Sequence, residues 1–512
     1  MRGVSAEPGI TVRSPVTGLG VLCGALALVM GAMTSLNVAL PDIGRATGAS
    51  QSELTWIIDA YTVVFAGLLL PCGALGDRYG RRRMLIVGLL VFALACALGP
   101  IGDDPAVLTA TRGLAGLGAA LVMPATLSLI TTTMRAETQA RAVGLWVATA
   151  TLGGALGIVF AGVVLEYADW RAILFVSAVA ALLVAGAGTL VEESSDPDPP
   201  RFDYAGALTS TAAIGLVVLG ILEAPTHGWS SPFVWSAVVA GLLSGLVFAR
   251  LQLRKPNPLL DIRIFRSRLV LVGSLGLVAM FAVLFGYFYL VVQFLQLIEG
   301  RSPLNSGLML LPAAATIVPF TMVANPLVER FGLRVVMTFG LMPMVEAFAL
   351  MARVHDGDNI RFVIAMLLFG ASIGLCVTPA TVAILRSVPT AKQGVASAVN
   401  DAVREVGAAL GIAVVGSVLA TGYGRNLGPA VDALPESAQE PMRASFAGAL
   451  QVRQAIGPSA DAAVAQARNA FLSGLHGAFL ACSIFIAAVA VTVAVFAPDG
   501  GEAPATESPR GA

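Results

Sequence analysis

Charge is scarce in this chain. Asp, Glu, Lys and Arg make up 12% of its 512 residues, where a soluble domain carries about 25%, so an ordinary water-facing surface cannot be built from it. Lysine is almost missing, at Lys255 and Lys392 only, and histidine occurs three times, at His227, His355 and His476. Acidic and basic residues balance at 31 each, giving a formal net charge of zero. That removes the basic excess on which a nucleic-acid partner depends. The five cysteines (Cys23, Cys72, Cys96, Cys376, Cys482) all lie in or beside apolar segments, which provides neither a disulfide framework nor a metal-ligand spacing. A G-x-x-x-x-G-K-[ST] loop is missing, which argues against ATP drive. Alternating strands are missing as well, which argues against a barrel. Nothing here points to an enzyme, a metal site or a cofactor.

What is abundant is apolar sequence. Hydrophobic residues make up 57% and the mean hydropathy is +0.83. Apolar runs recur at about 20 residues, the length that spans a bilayer as helix. Fourteen spans are predicted, near 18–41, 55–76, 84–101, 106–131, 142–166, 171–191, 204–223, 233–252, 269–298, 306–328, 335–353, 360–386, 395–421 and 471–496. The first follows Arg2 and Arg13 in the manner of a signal peptide. It is too long for one and lacks a cleavage site, so it is expected to stay as a helix. An even number of spans puts both termini on one side. The loops of that side and the tails hold 20 Lys and Arg against 9 opposite, and the positive-inside rule makes that side cytoplasmic. The segment 422–470 is then a long outer loop, expected to be a mobile cap with helical stretches at Met442–Leu450 and Ala462–Ala470.

The chain also repeats itself. ALGDRYGRRR at 74–83 has an echo in PLVERFGLR at 326–334, pairing Asp77 with Glu329, Arg78 with Arg330 and Gly80 with Gly332. MPAT at 123–126 recurs as TPAT at 378–381. The two offsets differ by three residues, and each spans eight helices. The predicted organisation is a tail (1–17), a six-helix bundle (18–191), two inserted helices with linkers (192–268), a second six-helix bundle (269–496) and a tail (497–512). Parallel halves of this kind place a substrate path between them near the midplane.

The stretch Gly73–Leu85, with Gly73, Leu75, Asp77, Arg78, Gly80, Arg81 and Arg82, resembles the loop signature of the major facilitator superfamily. LTATRGLAGLGAA is similar to that family's membrane arginine motif, with Arg112, Gly116 and Gly118, although Ala115 stands where glutamine is usual. Gly144, Gly153, Gly157 and Gly162 follow the antiporter-motif spacing, with Ile158 replacing its proline and Ala161 a glycine. NVALPDI (37–43), WIIDAY (56–61), DWR (169–171), SPLNSGLMLLP (302–312) and GVASAVNDAVREVGAALGIAVVGSVL (394–419) look like the 14-helix drug:proton antiporter branch. The resemblance implies an all-α polytopic membrane protein with 14 transmembrane helices, two six-helix bundles plus two inserted helices. It also implies export of a hydrophobic small molecule in exchange for protons, by a monomer surrounded by membrane lipids. A lipid-like cargo, an uncoupled facilitator and a non-transporting sensor remain as alternatives. The acid usual in the first helix is Ala32 here.

Each charged residue then acquires an expected role. Asp77, with Gly73, Arg78, Gly80 and Arg81, forms a conformational latch on the helix beginning near 395, while Arg82 and Arg83 set topology. Asp59 and Arg112 lie at similar depth and are candidates for proton coupling, able to pair directly or through water; the alternative is an interfacial Asp59 solvated by the outer vestibule. Asp401, Arg404 and Glu405 share one helical face and are candidates for proton coupling or substrate binding. Glu346 is expected to pack between helices, Glu166 and Glu223 to be interfacial, and His476 to make a helix contact. Trp56, Tyr61, Trp146 and Phe285 stack on a drug or anchor the aromatic belt.

Overall fold

The computed structural model describes residues 15–196, 201–266, 268–386, 388 and 392–497. The expected tails fall largely outside these residues. Seventeen α-helices account for almost all of the described chain, with no strand among the described residues. They are α1 (Pro15–Thr47), α2 (Gln51–Tyr79), α3 (Arg81–Leu98), α4 (Pro105–Thr133), α5 (Ala136–Tyr167), α6 (Trp170–Gly188), α7 (Tyr204–His227), α8 (Pro232–Arg254), α9 (Arg268–Gln293), α10 (Pro303–Met309), α11 (Leu311–Phe331), α12 (Leu333–Met351), α13 (Asn359–Arg386), α14 (Gln393–Asn426), α15 (Glu436–Ala444), α16 (Phe446–Ile456) and α17 (Asp461–Phe496). Fourteen stretches among the described residues are long and apolar enough to cross a membrane.

Local chemistry sets many of the helix ends. Ser50 and Glu53 close a capping box on α2, Asp104 caps α4 ahead of Pro105, and Asp169 caps α6. Several long helices lack such a device, among them α5, α17 and α14. At the start of α14, Lys392 makes no capping bond of its own.

The internal repeat is built into the packing. α1 lies on α5 as α9 lies on α14, and α2 lies on α4 as α11 lies on α13. Contacts match at nearly the same offset. A Cβ on Gly116 would come within 2.5 Å of the Tyr61 carbonyl, and one on Gly370 within 2.2 Å of that of Ala313. Gly80 and Gly332 turn the chain between α2 and α3 and between α11 and α12, at φ +105° and +82°. Only glycine adopts that conformation without strain. These two turns mark one face of the molecule, here the latch face.

The opposite face carries α15 and α16. Tyr423 Oη donates to the Met442 carbonyl at 2.6 Å, and Ala430 N–H donates to Gln466 Oε1 at 3.0 Å. Met442 and Ala449 are fully buried. The 422–470 segment is thus a packed helical cap. Its helical parts begin earlier than predicted, and α17 starts ten residues before 471 because its Ala-rich first turns pack under α16.

The inserted pair, α7 and α8, packs together, and α7 lies against both α2 and α14. Ala66 of α2, Val218 and Ile221 of α7, and Ala409 and Ala413 of α14 form one apolar cluster. Phe248 of α8 joins Leu70, Val395, Ala398 and Val399 in a second, nearer the latch face. The insert therefore bridges the two halves. Asp203 holds its foot: the carboxylate caps α7 through Gly206 N–H at 2.7 Å, accepts from Gln252 Nε2 at 2.8 Å and pairs with Lys255. Burial alone would push this carboxyl up, but Lys255, Gln252 and the cap outweigh it and hold it below the ordinary aspartate range. Because the folded value is depressed, the stabilisation is complete above pH 3.8 and is lost as pH falls through the folded value. Asp203→Asn is expected to lower the melting temperature of the purified protein at pH 7, by the equivalent of about 1.5–3 kcal/mol. The gap to the wild type should close on acidification below that range, and a gap that stays constant with pH would refute this account.

Candidate functional site

The missing cap of α14 comes from 317 residues away in sequence. Asp77, at the end of α2, accepts from Gly394 N–H with Oδ1 at 2.8 Å and from Val395 N–H with Oδ2 at 3.0 Å. Arg81 closes the arrangement from α3, with Nε and Nη2 donating to Asp77 Oδ1 at 2.9 and 2.6 Å. Both side chains are buried, Arg81 to 1% exposure. A carboxylate at a helix N-terminus gains from the macrodipole, by up to about 2 kcal/mol when partly buried. Close approach here depends on Gly73, since a Cβ on it would come within 2.5 Å of the Gly394 carbonyl. Arg78 stacks over Tyr79.

The linker to the inserted helices also holds this corner, which motif reading did not suggest. Ser194 accepts Arg81 N–H with its carbonyl at 2.9 Å and Arg81 Nη1 with its hydroxyl at 2.7 Å, while Asp196 N–H donates to the Asp77 carbonyl at 2.7 Å. Glu193 accepts from Arg82 N–H and lies within 3.8 Å of the Arg82 and Arg83 guanidinium groups. The only sequence signal was the pair Glu192–Glu193 at the end of a span, opposite an arginine loop.

Further along α14 lies a buried charged cluster. Arg404 faces Asp401 at 3.7 Å, and Asp401 accepts from Asn400 Nδ2 at 3.1 Å. The Arg404 guanidinium sits over the rings of Trp146 (4.9 Å) and Phe281 (4.4 Å), one from each half of the molecule. This cation–π seating explains the indole of Trp146, pinned by a 2.9 Å bond to Thr126 Oγ1 and fully buried. Trp146 is therefore neither a belt anchor nor a free stacking surface. Glu405 is 5% exposed and lies within electrostatic reach of Arg404 and Asp401. Asp401 Oδ2, Glu405 Oε2, Arg404 Nε, Ser397 Oγ, Thr378 Oγ1 and Thr381 Oγ1 are buried with no hydrogen bond. Native interiors seldom leave so many polar atoms unsatisfied, and each can serve a ligand or a proton.

Arg112 does not pair with Asp59. Its Nε donates to the Ile57 carbonyl at 3.2 Å and its guanidinium lies 4.4 Å over the Tyr61 ring, with Nη1 and Nη2 buried and unbonded. The cause is helical phase. Ile57 and Tyr61 share the α2 face toward α4, and residue 59 lies about 200° around the helix from residue 57. The Tyr61 hydroxyl itself donates to the Val29 carbonyl of α1 at 3.2 Å.

Asp59 faces the insert. Glu223 of α7, expected at the interface, is 2% exposed, with Oε2 2.9 Å from His227 Nδ1. Glu346, expected in a helix contact, is exposed on the outer side of α12. Glu166 is exposed, and His476 Nε2 contacts the Val354 carbonyl at 2.8 Å.

The antiporter-motif glycines divide between two partners. Cβ atoms on Gly153 and Gly157 would meet α1, at Met30 (2.9 Å) and the Gly31 carbonyl (2.2 Å). Those on Gly144 and Gly162 would meet Thr321 of α11 (2.6 Å) and Leu304 of α10 (3.3 Å). The α5 helix thus touches its own half along one stripe and the other half at both ends.

Two six-helix bundles related by an internal repeat, plus a bridging inserted pair, enclose a buried charged seam. That arrangement defines a polytopic, all-α membrane protein of the major facilitator fold. The chain belongs to the Major Facilitator Superfamily, whose family model matches residues 22–412. Multidrug resistance protein Stp of Mycobacterium tuberculosis is 33% identical over 433 residues, 83% of this chain and 78% of that protein. The multidrug efflux pump LfrA of Mycolicibacterium smegmatis is 32% identical over 498 residues, 95% of this chain and 97% of that protein. The crystal structure of the human organic anion transporter MFSD10 (TETRAN) superposes with a TM-score of 0.60 at 16% identity, covering 94% of this chain and 100% of that one.

Proposed function

We propose that the protein exports hydrophobic or amphipathic compounds across the cytoplasmic membrane, driven by inward proton movement through alternating access. In this scheme the latch face and both termini are cytoplasmic, and the protein works as a monomer in lipid. The observation that carries it is the position of α14. Its first turn is gripped by Asp77 of the other half, and its Asp401–Arg404–Glu405 cluster lies about 15 Å further along the same helix, at 1.5 Å per residue. Changing the charge of the cluster therefore bears on the helix that the latch holds. With Glu405 ionised the cluster attracts a cationic drug; a proton on Glu405 cancels that attraction and favours release. Asp59 serves as a second carboxyl, reached from the cap face. The names of the relatives, multidrug efflux among them, support drugs as cargo.

Inside-out vesicles test this with ethidium, a permanently cationic dye. An acid lumen should drive dye accumulation, and a protonophore should stop it. Glu405→Gln and Asp59→Asn should reduce accumulation to the level of vesicles without the protein. Accumulation that ignores the proton gradient would make the protein a facilitator, and wild-type transport by both variants would remove these carboxyls from the mechanism.

A further inference from the structure

The inserted helices have no charged role in the mechanism above, yet α7 buries a carboxyl in the membrane region. Glu223 is 2% exposed, one turn before the end of the helix. Its Oε2 lies 2.9 Å from Nδ1 of His227, whose ring is about half exposed beyond it. Its other oxygen, Oε1, is buried and makes no hydrogen bond. An ionised carboxylate would not keep a buried lone oxygen without a function to offset the cost.

Packing shows where this carboxyl sits. On α2, residues 59, 63, 66 and 70 recur at threes and fours and form one face. Gly67 approaches Thr211 and Gly215 of α7, and the Val63 carbonyl lies 3.8 Å from a Cβ on Gly215. The two helices run antiparallel, so one turn further toward the cap face Asp59 comes level with the last turns of α7. Carrying the Val63–Gly215 register one turn on sets Asp59 level with Leu219, and Glu223 lies one further turn along α7. The other neighbours are accounted for. Arg112 of α4 is held on the opposite side of α2 by Ile57 and Tyr61. Glu53 of α2 is tied to Ser50, and Arg45 of α1 pairs with Asp42. The α14 surface here is Val406, Leu410 and Ala413, with Ser417 bonded to Trp229 at 2.6 Å. Phe233 of α8 packs on the His227 ring at 5.4 Å.

We propose that His227 and Glu223 of the inserted helix are the entry for the coupling proton and deliver it to Asp59. Hydronium on the cap face protonates His227 Nε2 while Nδ1–H passes to Glu223 Oε2, leaving water, a neutral imidazole in its other tautomer and a neutral carboxyl; the half-exposed ring regains Nδ1–H by exchange with solvent before the next proton. The carboxyl then gives the proton to the Asp59 carboxylate and is ionised again. Histidine suits the exposed position because either ring nitrogen can carry the proton, so it takes one up at Nε2 while giving one from Nδ1. The inserted pair is then a proton antenna on the flank of the transporter, which rests on the exporter function proposed above.

Full-length protein in proteoliposomes tests it, with ethidium export driven by acid on the cap face. His227→Ala should slow export by about tenfold or more, and imidazole added on that side should restore most of the rate. Glu223→Gln should slow it similarly without rescue. A merely structural histidine would not be rescued by imidazole, so failure of rescue, or unchanged export in both variants, overturns the proposal. If the wild type itself shows no gradient dependence, the exporter function fails instead. Infrared titration of the carboxyl C=O stretch then decides the inference alone: Glu223→Gln must remove a band that titrates in the wild type, and an unchanged spectrum overturns it.

Discussion

Asp77→Asn is expected to abolish export while the protein still inserts and accumulates in the membrane. The side chain keeps its shape, so helix packing survives. What changes is the set of bonds. The carboxylate accepts two N–H groups at the start of α14 and two from Arg81. An amide must turn its NH₂ toward one of those donors, and it leaves the buried Arg81 guanidinium without its counter-charge. Losing one charge-assisted bond costs about 1.5–3 kcal/mol, which at tenfold per 1.4 kcal/mol shifts the closed latch by roughly ten- to hundredfold. A single cysteine at Ala398, fully buried beneath Gly73, reports this in a background stripped of the five native cysteines. It should become reactive to an impermeant maleimide from the latch face only when Asp77 is changed. Normal drug resistance in cells carrying Asp77→Asn would sink the latch.

Arg404→Leu should have the largest effect on stability. It strands two buried carboxyls, Asp401 and Glu405, beside each other and empties the seat between Trp146 and Phe281. Removing one partner of a buried pair costs about 3–5 kcal/mol, enough to reduce both membrane abundance and the melting temperature of purified protein. Arg404→Leu with Asp401→Asn should recover most of that loss, because the double change removes the second carboxylate as well. Export should not recover, since the seat between Trp146 and Phe281, through which Arg404 joins the two halves, stays empty. A single variant that melts with the wild type would show that the cluster is hydrated and of little structural weight.

The fold was largely legible because its signals are linear. Length and hydropathy mark the spans, and the paired loops at Gly80 and Gly332 mark the repeat. The contact of Asp77 with the start of α14 was legible too, because both belong to recognisable loops. What sequence could not supply is azimuth. Depth along the helix suggested that Asp59 meets Arg112, but membrane helices apolar all round carry no stripe from which to read facing. The structure turns Asp59 to α7 and Arg112 to Tyr61. The same blindness misplaced Glu346 and Glu223. The strap through Glu193 and Ser194 was illegible for another reason: backbone hydrogen bonds leave no mark on residue type. Trp146 looked like many membrane tryptophans until Arg404 was found beneath it.

The bridging position of α7 has a consequence for cargo that arrives dissolved in the bilayer. On one flank, the seam between α2 and α14 is backed along its length by the inserted pair, through Val218, Ile221 and Phe248. On the other flank α5 meets α10 and α11 directly, closed at its ends by Gly144 against Thr321 and Gly162 against Leu304, with no further helix outside them among the described residues. A lipophilic molecule diffusing in the leaflet therefore meets two layers of helix on one flank and a single layer on the other, so the two flanks differ in thickness despite the internal symmetry.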